Sequence, residues 1–277
     1  MKTPHLFIPC FTFVVIHFIS GCQHTPEKNK EMVVQENGSK SYYGTIDKDT
    51  VYSYTIKNRN IKAVISNYGA TLLELWTPDK NGESGNIILG FDSLAGYLQK
   101  TNPYFGALVG RYANRISHAA FTIDGKRYTL APNDKGNTLH GGIRGLDKVI
   151  WTVNLVNDSS VALSYVSRDG EEGFPGNLNI KVVYSIISGI SGDELMIDYT
   201  AMTDMKTPVN LTNHAYFNLS AGKDSTILGE ILTIYASRYT PVNDSLIPTG
   251  KLASVKNTPM DFLKSKRIGK DIQKVKG

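Results

Sequence analysis

Apolar and polar residues alternate with a period of two along most of this chain from Tyr52 onward. Tyr52, Tyr54 and Ile56 share a face, and so do Ile61, Ala63 and Ile65, the spacing of half-buried strands. Phe121-Thr122-Ile123 and Arg127-Tyr128-Thr129-Leu130 flank Asp124-Gly125, a dipeptide that suits a tight type I′ hairpin. Trp151, Val153 and Leu155 alternate, and Val161, Leu163 and Tyr165 alternate after the turn Asn157-Asp158-Ser159-Ser160, which predicts a second hairpin. Leu178, Ile180, Val182, Tyr184 and Ile186 make the longest alternating face, and Leu195, Ile197 and Tyr199 follow a Gly-rich turn. No stretch keeps a helical period over three turns, and no internal repeat is visible. Many short strands separated by turn signals predict an all-β fold, a large antiparallel β-sandwich.

One stretch breaks the pattern. Val209-Asn210-Leu211-Thr212-Asn213-His214-Ala215-Tyr216-Phe217-Asn218-Leu219 sets three Asn, a Thr, a His and a Tyr among apolar residues. Polar side chains inside an apolar run need hydrogen-bond partners, so the stretch is either a satisfied core network or the floor of a site. His214 is its one group able to exchange a proton near neutral pH. Four loops add chemistry. Gly110 to Ile116 carries Arg111, Asn114 and Arg115, donors for the oxygens of a polyol or an anion, or simply solvated. In Asn137-Thr138-Leu139-His140-Gly141-Gly142, the glycines after His140 let backbone or ligand approach closely. Asp169 to Gly176 holds adjacent carboxylates, Glu171 and Glu172, in a solvated loop or a sugar-binding edge, and Asp244 to Gly250 is most simply a structural turn. His118 looks incidental. There is no P-loop, no dinucleotide glycine fingerprint, no metal-spaced His/Cys cluster and no serine nucleophile elbow.

The N-terminus reads as a segment for export. Lys2 precedes an apolar run from Leu6 to Ile19 that is too short to span a bilayer as a helix. The run ends in Ile19-Ser20-Gly21-Cys22, which resembles the lipobox of bacterial lipoproteins, against the plainer reading of an ordinary cleaved signal. The expected organisation is a signal peptide over 1–21, a flexible tether over 22–40 and one domain over 41–277. Cys22 would carry lipid and anchor an exported protein to an envelope membrane. With Cys10 removed in the signal, no thiol would remain for a disulfide, a metal or a nucleophile. Loss of Lys2 lowers the formal net charge from +5 to +4, and the Lys and Arg residues are dispersed among acids. The mild cluster at Lys264, Lys266, Arg267, Lys270, Lys274 and Lys276 has no motif beside it, so no nucleic-acid partner is expected.

Taken together, Asn67-Tyr68-Gly69-Ala70, Gly110 to Ile116, Leu139-His140-Gly141-Gly142, Asp169 to Gly176, Val209 to Leu219 and Leu246 to Gly250 resemble the aldose 1-epimerase, or galactose mutarotase, family. The matches occur in the family's order and cover most of the chain from about Ile61. The resemblance implies a mutarotase-like supersandwich with a sugar cleft, and interconversion of the α and β anomers of free aldoses such as glucose and galactose without a cofactor or metal. It implies that Asn114 and Arg115 hydrogen-bond the sugar, that His140 contacts and orients the ring, and that His214 is the general acid toward the ring oxygen with Tyr216 beside it. Ring opening needs a proton delivered to that oxygen while another leaves the anomeric hydroxyl, tasks for a His and a carboxylate. Family members supply the carboxylate from a Glu beyond a Gly-Phe/Tyr-Asp-His segment, and nothing in these 277 residues matches either. The resemblance therefore implies a sandwich incomplete at its C-terminal end, with no general base in this chain. Two other readings stay open at this stage. One is a lipid-anchored sugar-binding remnant retaining His140, Arg115 and His214; the other is an epimerase of phosphorylated hexoses drawing on Arg111 and Arg115.

Overall fold

In the computed structural model, residues 39–190 and 192–275 are described, all within the unit Val34–Gly277. The export signal, Cys22 and most of the expected tether fall on residues 1–38, outside the described residues.

Two antiparallel sheets form the frame. The first has the order β1-β2-β3-β4-β5, from Ser39–Ile46, Asp49–Lys57, Lys62–Ser66, Leu72–Pro78 and Ser84–Asn86. Ser39 pairs with Thr55 and Lys40 with Tyr54, so the last two residues of the expected tether are in strand. The single α-helical turn among the described residues, α1, is Leu94–Tyr97. The short strands β6 (Leu108–Val109), β7 (Arg115–Ile116), β8 (Ala120–Ile123), β9 (Lys126–Thr129) and β10 (Thr138–Leu139) follow. The second sheet is β11-β12-β13-β14, from Thr152–Val156, Ser160–Ser167, Leu178–Gly189 and Gly192–Thr203.

The expected faces meet in the core. Tyr54, Ile56, Ala63, Ile65, Leu72 and Leu75 of the first sheet pack against Trp151, Val161, Leu163 and the whole Leu178-to-Ile186 face of the second. Burial of this apolar surface is the main term holding the layers together, and side-chain alternation sends the intervening residues to the opposite faces. Leu195, Ile197 and Tyr199 of β14 lie half-buried on the same core. Opposite residues of the first sheet, Val51, Val64 and Leu73, join Tyr68, Leu94 and Tyr97 in a second cluster. Asp124 and Gly125 take positive φ values of 49° and 78°, as a type I′ turn requires, and join β8 to β9. One expectation fails: a bulge between Val153 and Leu155 shifts the register, so Val156 rather than Leu155 faces the core. An inserted residue of this kind flips every side chain beyond it.

β15, Thr212–Asn213, pairs with β6, and β7 pairs with β10. These two ladders bring His214, Arg115 and His140 to one side of the sandwich.

Candidate active site

The polar stretch around His214 is tied down by hydrogen bonds from its asparagines. Its three Asn are structural: Asn210 Nδ2 donates to Ala113 O at 3.1 Å, Asn213 Nδ2 to Gly106 O at 2.8 Å, and Asn218 Nδ2 to Asp224 O at 2.9 Å. The Tyr184 hydroxyl, buried in the core, donates to Ala70 O at 2.7 Å and accepts from Asn213 Nδ2 at 3.3 Å. With the segment tied down, the His214 N–H donates to Ala107 O at 2.9 Å and its carbonyl accepts from the Gly106 N–H at 3.2 Å. The half-buried imidazole is left for other work.

His140 arrives from the other ladder. Its ring lies 5.0 Å from that of His214, at 90° to it. His140 and Asn114 both take left-handed backbone, with φ of 53° and 65°. They bind each other reciprocally: the His140 N–H donates to Asn114 O at 3.0 Å, and the Asn114 N–H donates to His140 Nδ1 at 3.0 Å. Acceptance at Nδ1 places the proton of the neutral ring on Nε2, so His140 offers a fixed N–H donor. Burial, then the nearby charges of His214, Arg115 and Lys148, push the His140 pKa down to about 4. It is therefore neutral at pH 7 and unsuited to act as the acid. Gly141, at φ 89°, permits the turn: a Cβ there would sit 1.8 Å from Gly110 O.

Arg115 donates through Nε to Asp134 Oδ2 at 2.7 Å and through Nη1 to Asn114 Oδ1 at 3.1 Å, and Nη2 has no acceptor among the described residues. The Tyr216 ring lies 5.2 Å from that of His214, tilted at 36°, with 39% of the residue exposed. All five expected site residues, Asn114, Arg115, His140, His214 and Tyr216, thus gather around the histidine pair.

Tyr104 was not foreseen. Its ring lies 4.6 Å from His140 and 5.6 Å from His214, the third corner of a triangle with the two imidazoles. It sits on left-handed backbone at φ 64°, and burial pushes its phenol up to about 12, so it stays neutral. Lys148 Nζ stands 5.0 Å from the Tyr104 ring and is held by Asp147 Oδ2 at 2.5 Å. Asp147 is buried with Oδ1 unpartnered; burial pushes its carboxyl up against the pull of Lys148. Nothing in Asn102-Pro103-Tyr104 as a sequence announces this placement, because it follows from a turn conformation unusual for an aromatic residue.

Two expectations are corrected. Arg111 is 2% exposed and cannot reach a ligand. Its Nε and Nη2 donate to Ser167 Oγ and O, Nη2 also to Arg168 O, and Nη1 to Pro175 O and Thr207 Oγ1. A phosphate-binding role loses one of its two cations. The carboxylates of Asp169 to Gly176 are not free either. Glu171 accepts from the Tyr165 hydroxyl and the Arg168 N–H, and Glu172 from the N–H groups of Ile143 and Arg144. Asp134 pairs with Arg115, and Asp147 meets Lys148 through Oδ2 alone, its Oδ1 staying unpartnered. His118 bonds Ser117 Oγ and takes no part in the site.

The family model for aldose 1-epimerase matches residues 52–277. Galactose mutarotase from Bos taurus is 45% identical over 224 residues, covering 81% of this chain and 64% of its own length. Aldose 1-epimerase from Escherichia coli is 39% identical over 226 residues, covering 79% of this chain and 64% of its own. The chain thus spans 64% of the length of these curated relatives. Among solved structures, an aldose epimerase homologue from C. elegans superposes with a TM-score of 0.72 at 35% identity, covering 79% of this chain and 67% of its own. Galactose 1-epimerase from Lactobacillus acidophilus does so at 0.70 with 28% identity, covering 84% and 67%.

Proposed function

The chain belongs to the aldose 1-epimerase family, and on that premise we propose that the whole protein interconverts the α and β anomers of free hexoses such as glucose and galactose. The observation that supports it most is the pair of imidazoles 5.0 Å apart with divided roles. His140, neutral and locked by Asn114, donates from Nε2 to a sugar oxygen and orients the ring. His214, whose imidazole has no hydrogen-bond partner among the described residues, delivers the proton to the ring oxygen as the C1–O5 bond breaks. The anomeric hydroxyl loses its proton to a carboxylate, giving the open aldehyde. Rotation about C1–C2 and reversal of the two proton transfers close the ring on the other face. Asn114 and the free Nη2 of Arg115 hold sugar hydroxyls, and Tyr216 covers an apolar sugar face. Holding the donors against one ring makes the transfers effectively intramolecular. The reading takes the general base to be a carboxylate, as the family resemblance implies. The reading includes export and lipid attachment at Cys22, for which the support is the N-terminal sequence alone.

Exchange NMR of equilibrated galactose tests the activity directly. Cross-peaks between α and β anomeric protons that grow with added protein are expected. Exchange no faster than in buffer, from a folded sample, refutes the reading.

A further inference from the structure

The loop that carries His140 is unusual in its backbone. His140, Gly141 and Gly142 take φ values of 53°, 89° and 117° in succession. After such a run, neighbouring N–H groups turn toward one side and form a concavity that favours an anion. Here the concavity is filled from within the chain. Glu172 Oε2 accepts the Ile143 N–H at 2.8 Å, and Oε1 accepts the Arg144 N–H at 3.0 Å. Across the loop, Asn133 Oδ1 accepts the Leu139 N–H at 2.6 Å, while Nδ2 donates to Leu139 O and Gly142 O at 3.0 and 2.8 Å. Gly142 lies against the carboxylate so closely that a Cβ there would sit 2.2 Å from Glu172 Oε2.

The support behind Glu172 is rigid. It occupies left-handed backbone at φ 50° in the turn Glu171–Gly173. Glu171 fastens that turn to Tyr165 at 2.7 Å, and Phe174, 1% exposed, anchors its end beside Ala119 and Leu130. Buried Arg111 ties both flanks, donating to Arg168 O at 2.7 Å and Pro175 O at 3.0 Å. A path of direct contacts therefore runs from Arg111 through the acidic turn and Glu172 to the His140 loop.

We propose that Glu172 is a positioning residue for His140: its two carboxylate oxygens fix the Gly142–Arg144 backbone and thereby hold the imidazole on the Asn114 N–H and square to His214. The catalytic meaning of this brace rests on the anomer-exchange reading, but the brace itself can be read without any sugar. Both oxygens are engaged by the loop backbone, which is the work of a brace. Were it lost, two N–H groups would have to find water, and the loop would open toward solvent.

The test is the His140 imidazole in the sugar-free protein, followed by long-range proton–nitrogen NMR. The groups facing that ring are His214, Tyr104, Arg115, Asp134, Lys148 and the Asn114 N–H, and none of them is altered. In wild type, a single tautomer protonated on Nε2 is expected, titrating near 4. In Glu172→Ala, mixed tautomers and a midpoint moved toward the ordinary value of 6.5 are expected as the ring hydrates. Glu172→Gln keeps one acceptor and should lie between; it carries the test should the alanine variant not fold. A purely structural carboxylate would lower the melting temperature and leave the His140 tautomer and midpoint unchanged in the folded protein. That outcome overturns the proposal. In the anomerisation assay, the alanine variant should lose on the order of 10²-fold in kcat with a smaller change in KM, the signature of a displaced catalytic group.

Discussion

Arg111 and Arg115 stand four residues apart in one loop, yet Arg111 is sealed in the interior and Arg115 pairs with Asp134. Replacing Arg111 by Met keeps much of the apolar stem but deletes a buried guanidinium. Ser167 Oγ and Pro175 O lose their donors outright, at 2.8 and 3.0 Å, and Ser167 O and Arg168 O each lose one. A buried acceptor left unpaired costs about 1–3 kcal/mol. Two full losses and two partial ones give about 3–5 kcal/mol, the range also seen when one partner of a buried ionic network is removed. Arg111→Lys should recover less than half, since one ammonium cannot serve acceptors spread around a planar fork. Arg115→Met should behave differently. Its ion pair with Asp134 is partly solvated, with side chains 16% and 22% exposed, so about 1 kcal/mol of stability is at stake. Sugar binding should suffer instead, by about ten- to a hundredfold for one lost charged hydrogen bond. Urea denaturation and titration of galactose binding separate the two effects. A stability loss below about 1 kcal/mol for Arg111→Met would refute the claim that its buried bonds matter. So would a loss of sugar binding by that variant while it remained as stable as wild type.

Two further outcomes follow from burial. The folded pKa of His140, about 4, lies below the ordinary 6.5, so unfolding takes up a proton between those values and stability falls as pH drops through that window. Relative to His140→Gln, wild type should lose about 1 kcal/mol more between pH 7 and 5, allowing for the ring's partial exposure; equal losses in denaturant melts would contradict the locked neutral ring. Tyr184→Phe removes the hydroxyl that joins Ala70 O to Asn213 and should cost about 1–2 kcal/mol by thermal or urea melting, and an unchanged midpoint would contradict that.

Much of the frame was legible because alternation is a direct record of a two-faced sheet. The Leu178-to-Ile186 face and the Asp124-Gly125 turn came out as the pattern implies. The Leu155 shift did not, since a bulge is an insertion in pairing that residue types alone do not mark. In the site, His214 stood out as a proton-exchanging group in an apolar run. Asn114, Arg115 and His140 were named from their loops and given roles by family resemblance. What stayed hidden was the division among chemically equal candidates. Nothing in Gly110 to Ile116 says that one arginine is sealed by five hydrogen bonds while the other pairs with Asp134 and Asn114 beside the histidines. The adjacent carboxylates of Glu171 and Glu172 look like a solvated or sugar-binding edge until the left-handed run after His140 presents two N–H groups to one of them. Tyr104 escaped notice for the same reason. Its role depends on backbone conformation that no pattern of apolar positions encodes.

The most direct measurement of the central claim is polarimetry of freshly dissolved α-D-galactose with the wild-type protein and with folded His214→Gln. Wild type should speed the approach to the equilibrium rotation well beyond buffer, and His214→Gln should lose about 10²–10⁴-fold of that acceleration, as expected for a general acid. A His214→Gln protein that matches wild type would contradict the assignment of the proton to His214.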